Sequence, residues 1–247
     1  MSDIRFKSIG QSEKSMILLH ETCGYSALYT EGHLLAYGLG VHYIVDADGR
    51  ERSYNPHSDI VQHAGRWSRR AIGIDVVTPY YHEHQCEPWD TVLQTSWSGR
   101  LDRSGPHDYV PPTRDQLEAL TGLVARLGAE LVMTRGEGLL WTGLVDRSTG
   151  ERVMEPHQGM QWIGFDASVS NRYRFDHIKW ATPESYTQSR SSITAHAHVS
   201  ASRADGAFPL LYCWYRIACS QTPDEAWQHA CATAQGPRLR GGWYEVM

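Results

Sequence analysis

Apolar runs and their punctuation divide the chain into a small set of elements. SMILLHET (15–22) opens with an apolar run of strand length and closes in polar residues, so it predicts a buried strand carrying His20 at its C-terminal end. In GVHYIVDADGRERSYNP (40–56), VHYIV reads as a strand, DADG as a turn and ERSYN as the return, since Asp-Gly between strand-like runs favours a hairpin. AIGIDVV (71–77) is apolar and β-branched and predicts another central strand. Residues 78–112 mix Pro, His, Trp, Gly and Ser without a clear period and read as a long surface excursion. Helical spacing is clearest over 111–133. There Leu117, Leu120, Leu123 (or Val124) and Leu127 form one stripe, and Thr113 with Gln116 makes a capping box. Residues 135–192 are again rich in Gly, Trp, Arg and Ser. GAFPLLYCWYRIACS (206–220) reads as a mostly buried helix. TPDEAWQHACATA (222–234) reads as a late helix with Thr222 as cap, Pro223 in the first turn and Glu225 closing a second capping box.

The order strand, helix, hairpin, strand, helix, late helices predicts the α/β class: a mixed central β-sheet flanked by helices, in one domain spanning 1–247. Two long insertions, 78–110 and 135–190, interrupt the regular elements, and loops of that length tend to build binding sites. Composition adds exclusions. A net charge of −5 announces no basic face, so nucleic acid is not an expected partner. No run approaches the ~20 apolar residues of a membrane span, so no membrane partner is expected. The start, MSDIRFKSIGQSEK, is polar and has no signal-peptide pattern. The expectation is a chain made in the cytoplasm, with release by lysis or a dedicated secretion machine still open. Five cysteines, an odd number without a CxxC pair, argue against a disulfide framework and a thiolate metal site, and read as buried reduced thiols.

Thirteen histidines and nine tryptophans direct attention to metal ligation and to stacking on sugars or peptides. A catalytic zinc takes three protein ligands and keeps a fourth position open. His20, at the end of a central strand, is a candidate. In ITAHAHVSASRADG (193–206), His196 and His198 share a side of an extended segment, so spacing alone allows either or both. Asp205 follows His196 by nine positions, a span that fits a loop returning to the same ion, and Gly206 lets the backbone turn there. His82 and His84 have metal-like spacing within the first insertion. His42, inside a strand, reads as structural. Trp67, Trp97, Trp141 and Trp162 suit either a glycan groove or packing under long loops.

In order, MILLHET, VHYIVDADGRERSYNP, QHAG, AIGIDVV, the helix at 113–133 and AHAHVSASRADGAF resemble the zinc N-acetylmuramoyl-L-alanine amidases. That family includes phage lysozyme amidases, muropeptide-recycling amidases and peptidoglycan recognition proteins. The resemblance implies one Zn2+ held by His20, His196 and Asp205, with peptidoglycan or a muropeptide as substrate. It gives Asp75 the water-activating role of the acid that ends the corresponding strand, and Arg203 the oxyanion-stabilising role of a residue that is commonly lysine. Arginine supplies permanent charge there and no proton. His63 of QHAG resembles a substrate-contacting histidine, and Tyr43, Trp67 and His198 complete the candidate substrate-binding set. The chain departs from the phage-type members in having Val41 where they carry a catalytic tyrosine, with Tyr43 two positions on and expected to face the same side of that strand, and in lacking a proline after Asp205. Two alternatives keep the fold: a zinc amidase acting on another peptide-like amide, or a peptidoglycan-binding protein without catalysis.

Overall fold

The computed structural model describes residues 4–81, 84–95, 107–135, 140–142, 161–163, 192–196 and 205–235. In chain order its elements are β1 (Ser8–Gln11), β2 (Met16–Glu21), α1 (Ala27–Ala36), β3 (Tyr43–Val45), β4 (Glu51–Ser53), β5 (Asp59–Val61), a 3-10 turn (Gly65–Arg69) and β6 (Ala71–Val76). There follow β7 (Tyr80–Tyr81), β8 (Leu93–Thr95), β9 (His107–Val110), α2 (Arg114–Arg135), β10 (Leu140–Thr142), β11 (Gln161–Ile163), β12 (Ser192–Ala195), α3 (Ala207–Cys213) and α4 (Pro223–Gln235).

A seven-stranded sheet in the order β11-β10-β12-β2-β6-β3-β4 carries the architecture. Every neighbouring pair is parallel except the β3–β4 hairpin, so the sheet is mixed, as the sequence pattern predicts. β2 and β6 sit at its centre and are buried along their whole length, which parallel strands covered on both faces require. Their alternation splits two packing layers. Ile17, Leu19, Ile72, Ile74 and Val76 join the stripe Leu117, Leu120, Leu123, Val124 and Leu127 of α2 in the main core, together with Phe208 and Leu211 of α3. Burying each of these side chains is worth roughly 1.5–3 kcal/mol relative to exposure. Met16 and Leu18 turn the other way and pack with Ala64, Trp67 and Ala71. His20 follows Leu18 on that second face.

Both capping boxes form. Thr113 N–H donates to Gln116 Oε1 (2.8 Å) and Gln116 N–H to Thr113 Oγ1 (3.2 Å), and Thr222 and Glu225 repeat the exchange at α4. Gln116 does more than cap. Its Nε2 donates to Val77 O (2.6 Å) and Val45 O (3.4 Å), and its Oε1 accepts from Trp89 Nε1 (3.0 Å), so one buried amide joins α2 to the ends of β3 and β6 and to the first insertion. His42 is structural, as expected. It has no exposed surface; Gly73 N–H donates to its Nδ1 (3.0 Å), which leaves its Nε2–H to donate to Asp59 O (3.0 Å).

The excursion 78–112 differs from its reading as irregular surface. β7, β9 and β8 form a small antiparallel sheet, and Tyr80, Leu93 and Tyr109 enter the main core. Strands of two to four residues are too short for a period to register in sequence. β1 and β5 form a further antiparallel pair for which the pattern held no signal. The segment 206–220 is helical, as read: it is α-helical over Ala207–Cys213 and continues as a π-helix over Trp214–Ala218. Cys23 and Cys86, expected buried, are exposed, and all five cysteines are free thiols. No helix among the described residues is long and apolar enough to cross a membrane.

Replacing Gln116 by Ala is expected to cost about 2–4 kcal/mol in urea unfolding, because Val77 O, Trp89 Nε1–H and the cap lose their partner together; a loss under about 1 kcal/mol would contradict the bridging role. His42 gives a pH signature. Burial lowers its pKa to about 4, so below pH 6.5 the unfolded chain takes up a proton that the folded chain refuses. Stability should therefore fall by about 2–4 kcal/mol as pH drops from 6.5 to 4, and His42→Gln should show that much less slope in the same series. Equal slopes would refute it.

Candidate metal centre

Three adjacent parallel strands, β12, β2 and β6, deliver their carboxyl ends to one edge of the sheet, the edge at which open α/β sheets place ligands. His20 is the fifth residue of β2. His196 follows Ala195, which pairs with Leu19, so the chain sets His196 beside His20. Asp75 on β6 is the direct register partner of His20. Asp205 comes from the turn that opens α3. There Gly206 adopts φ +86°, and any Cβ would stand 2.1 Å from Leu19 O, so only glycine lets the turn press against β2 this closely.

These elements bring together the Nδ1 atoms of His20 and His196 (3.0 Å), His196 Nδ1 and Asp205 Oδ2 (3.1 Å), and His20 Nδ1 and Asp205 Oδ2 (3.4 Å). Among the described residues they are the group of histidine and carboxylate side chains with metal-binding spacing. The donor set fits zinc: nitrogen and oxygen ligands at ~2.0–2.1 Å in a tetrahedron stand roughly 3.3 Å from one another. The side chains keep only 7%, 12% and 16% of their surface exposed, so little water is left to screen the convergence. Burial pushes the Asp205 carboxyl up, but the charge and hydrogen bonds of His196 and His20 outweigh it and hold the group well below the usual carboxylate range.

Neighbours orient these side chains. His20 Nε2 meets His63 Nδ1 at 3.0 Å, and a proton on His20 Nε2 donated to His63 leaves the His20 Nδ1 lone pair free for an ion. The His63 ring lies flat on β6 at Gly73, where a Cβ would come within 2.7 Å of its Nδ1 and Cε1. Burial, reinforced by the charges of His20, His42 and His196, holds His63 well below its usual pKa and so neutral. Asp75 is raised to about 8, chiefly by burial and then by the charge of Asp205. Glu21 is also raised to about 8 by burial, against the hydrogen bonds from Tyr109 and Gly206.

A cleft of about 320 Å³ opens over this group, lined by His20, His63, Asp75, His196 and Asp205, together with Tyr29 and His33 of α1 and the buried Val41. Tyr29 and His33 were not singled out by the sequence, since nothing in ALYTEGHLLA marks which face of α1 looks toward His20. Glu21 was missed for a different reason: it reads as the polar end of a strand, while its partners lie 88 and 185 positions away. A larger cleft of about 810 Å³, lined by Asp46, Asp48, Asp90, Asp115, Arg114 and Trp227, lies at the start of α2 and has no metal-type triad among the described residues.

Two expected substrate residues are not brought to the cleft. Tyr43 does not share a side with Val41. The backbone bends at His42 before β3 begins, so Tyr43 lies on the α2 side, its hydroxyl 2.6 Å from His57 Nε2, and His57 Nδ1 in turn meets Glu130. Trp67 packs beneath the sheet against Met16 and Leu18, 6% exposed. Trp141 and Trp162 are register partners on β10 and β11. His198, Arg203, His82 and Trp97 lie outside the described residues. His84 sits near Tyr81, in no metal-type group among the described residues.

No protein of curated function matches the chain. Among solved structures it resembles the N-acetylmuramoyl-L-alanine amidase LysC from Clostridium intestinale, at 17% identity over 52% of this chain and 75% of that one, with a TM-score of 0.34. It also resembles the amidase AmiD from E. coli, solved with anhydro-N-acetylmuramic acid-L-Ala-D-gamma-Glu-L-Lys, at 17% identity over 51% of this chain and 48% of that one, TM-score 0.36. A mutant of Drosophila PGRP-LB in complex with tracheal cytotoxin overlaps 50% of this chain and 66% of its own at 15% identity, TM-score 0.33. The sequence itself carries the assignment. The family model for N-acetylmuramoyl-L-alanine amidase matches residues 10–136, a span holding His20, His63 and Asp75, and the chain belongs to that family.

Proposed function

We propose that the chain is a zinc-dependent hydrolase of the amide between N-acetylmuramic acid and L-alanine in peptidoglycan or muropeptides. The observation that carries this reading is the convergence of His20 Nδ1, His196 Nδ1 and Asp205 Oδ2 at 3.0–3.4 Å beside a buried carboxyl, Asp75, in a cleft of an amidase-family chain. His20, His196 and Asp205 would hold the ion. When bound, zinc supplies Lewis acidity to a carbonyl oxygen and acidifies water near neutral pH.

The remaining steps belong to side chains. Asp75, in register with His20 and lining the cleft, is placed for proton traffic: it accepts a proton from the attacking water and returns one to the alanine nitrogen as the C–N bond breaks. The lactyl carboxylate and the free amine of the peptide are the products. Arg203, two positions before Asp205 in sequence, would contribute fixed positive charge to the oxyanion. His63 keeps the proton of His20 on Nε2, and the flat approach of its ring to Gly73 holds it there.

Purified protein is expected to contain about one zinc per chain and to release peptides beginning with alanine from muropeptides, read by mass spectrometry. His196→Ala should lose both. A clear zinc signal beside an intact lactyl–alanine bond would sink the substrate assignment and favour another peptide-like amide. Asp75→Asn should retain zinc and lose roughly 100- to 10,000-fold in turnover; unchanged turnover would remove Asp75 from the mechanism. Gly73→Ala should displace His63 and weaken zinc retention about 10- to 100-fold against a chelator. Wild-type retention in that variant would show that His63 does not steady His20.

A further inference from the structure

Asp205 differs from the two histidines in its support. His20 lies within β2 and His196 follows β12 directly, whereas Asp205 sits in a turn that no strand fixes. Yet the turn is held. Gly206 N–H, the amide next to the ligand, donates to Glu21 Oε2 at 2.8 Å across 185 positions. Glu21 Oε1 accepts from the Tyr109 hydroxyl. Glu21 is 6% exposed, and Tyr109 only 1%. Gly206 also abuts Leu19 O, so three consecutive residues of β2, Leu19, His20 and Glu21, meet the Asp205 turn as backbone contact, metal-type ligand and hydrogen-bond acceptor.

Resting on the zinc reading above, we infer that Glu21 is a positioning residue for the third ligand, and that Tyr109 makes the first insertion a strut of the metal site. The physical reason is one of freedom. A carboxylate in a turn has several rotamers and a mobile backbone; tying the adjacent amide to a buried acceptor removes that freedom before an ion arrives. Tyr109, on β9 of the small sheet, aims the acceptor: its ring packs on Tyr80 and Phe208, and its hydroxyl occupies the oxygen that Gly206 does not use. Through Tyr109 the excursion reaches the ion site, and none of its described residues lines the cleft. A glutamine can replace Glu21, with its amide oxygen taking Gly206 N–H and its amide nitrogen donating to the Tyr109 oxygen. Alanine cannot.

The test is zinc affinity, measured by competition with a chromophoric chelator on the full chain, with melting of the metal-free protein alongside. Glu21→Ala is expected to weaken zinc binding about 10- to 100-fold and Tyr109→Phe at least about threefold, while Glu21→Gln stays within about threefold of wild type. Tyr212→Phe, which removes a comparable hydroxyl bond to Glu118 in the same core, should leave the affinity unchanged. A merely structural role would lower the metal-free melting temperature without moving the zinc constant. Wild-type affinity in Glu21→Ala and Tyr109→Phe, or an equal loss in Tyr212→Phe, would overturn the inference while leaving the zinc reading intact. If Glu21→Ala does not fold, Tyr109→Phe and Glu21→Gln decide. A wild-type chain that binds no zinc would overturn both.

Discussion

Two imidazole nitrogens and a carboxylate oxygen, each with a lone pair turned to the same point at 3.0–3.4 Å, cannot rest together without a cation or a proton between them. The fold is arranged to impose that juxtaposition. Its central strands must be adjacent, parallel and in register, so that Ala195 pairs with Leu19 and His20 with Asp75. Shift one strand by a residue and its histidine leaves the cleft for the opposite face. The apolar cores on both sides of β2 and β6 therefore bear on chemistry as well as stability, because they fix the register that makes the site.

Around the site, support comes from two directions. His63, pressed flat on Gly73, steadies His20 from the β6 side, and Glu21 with Tyr109 steadies the Asp205 turn from the small sheet. Both depend on glycines used for proximity: at Gly73 a ring lies where a Cβ would stand, and at Gly206 a strand carbonyl does. Groups held in this way are ordered in advance, which removes ordering costs from whatever they would bind. The cleft above stays open on the α1 side, where Tyr29 and His33 meet solvent, so rigidity below coexists with access for a substrate.

The elements differ in how plainly they could be read. β2 and β6 are continuous apolar runs, and α2 and α4 carry both a stripe and a capping box, so local composition alone defines them. Gln116 shows the limit of such reading: its capping role is visible at three-residue spacing, while its bonds to Val45, Val77 and Trp89 depend on segments 27 to 71 positions away. β1, β5, β7, β8 and β9 escaped because strands this short have no period of their own; they form where a partner is offered. Tyr43 misled for a related reason. Alternation predicts its side only if the strand is continuous from Val41, and the bend at His42 breaks that continuity.

By itself the sequence determined the α/β class, the central strands, the capped helices and the residue types able to hold an ion, since these follow from composition and spacing within short windows. The family order of motifs narrowed the histidines to His20 and His196. Only the tertiary structure decided that those two and Asp205 share one point, that Tyr43 and Trp67 lie elsewhere, and that Glu21 reaches Gly206. Each of these is a distance between segments far apart in the chain, set by strand order and packing, and no local pattern encodes it.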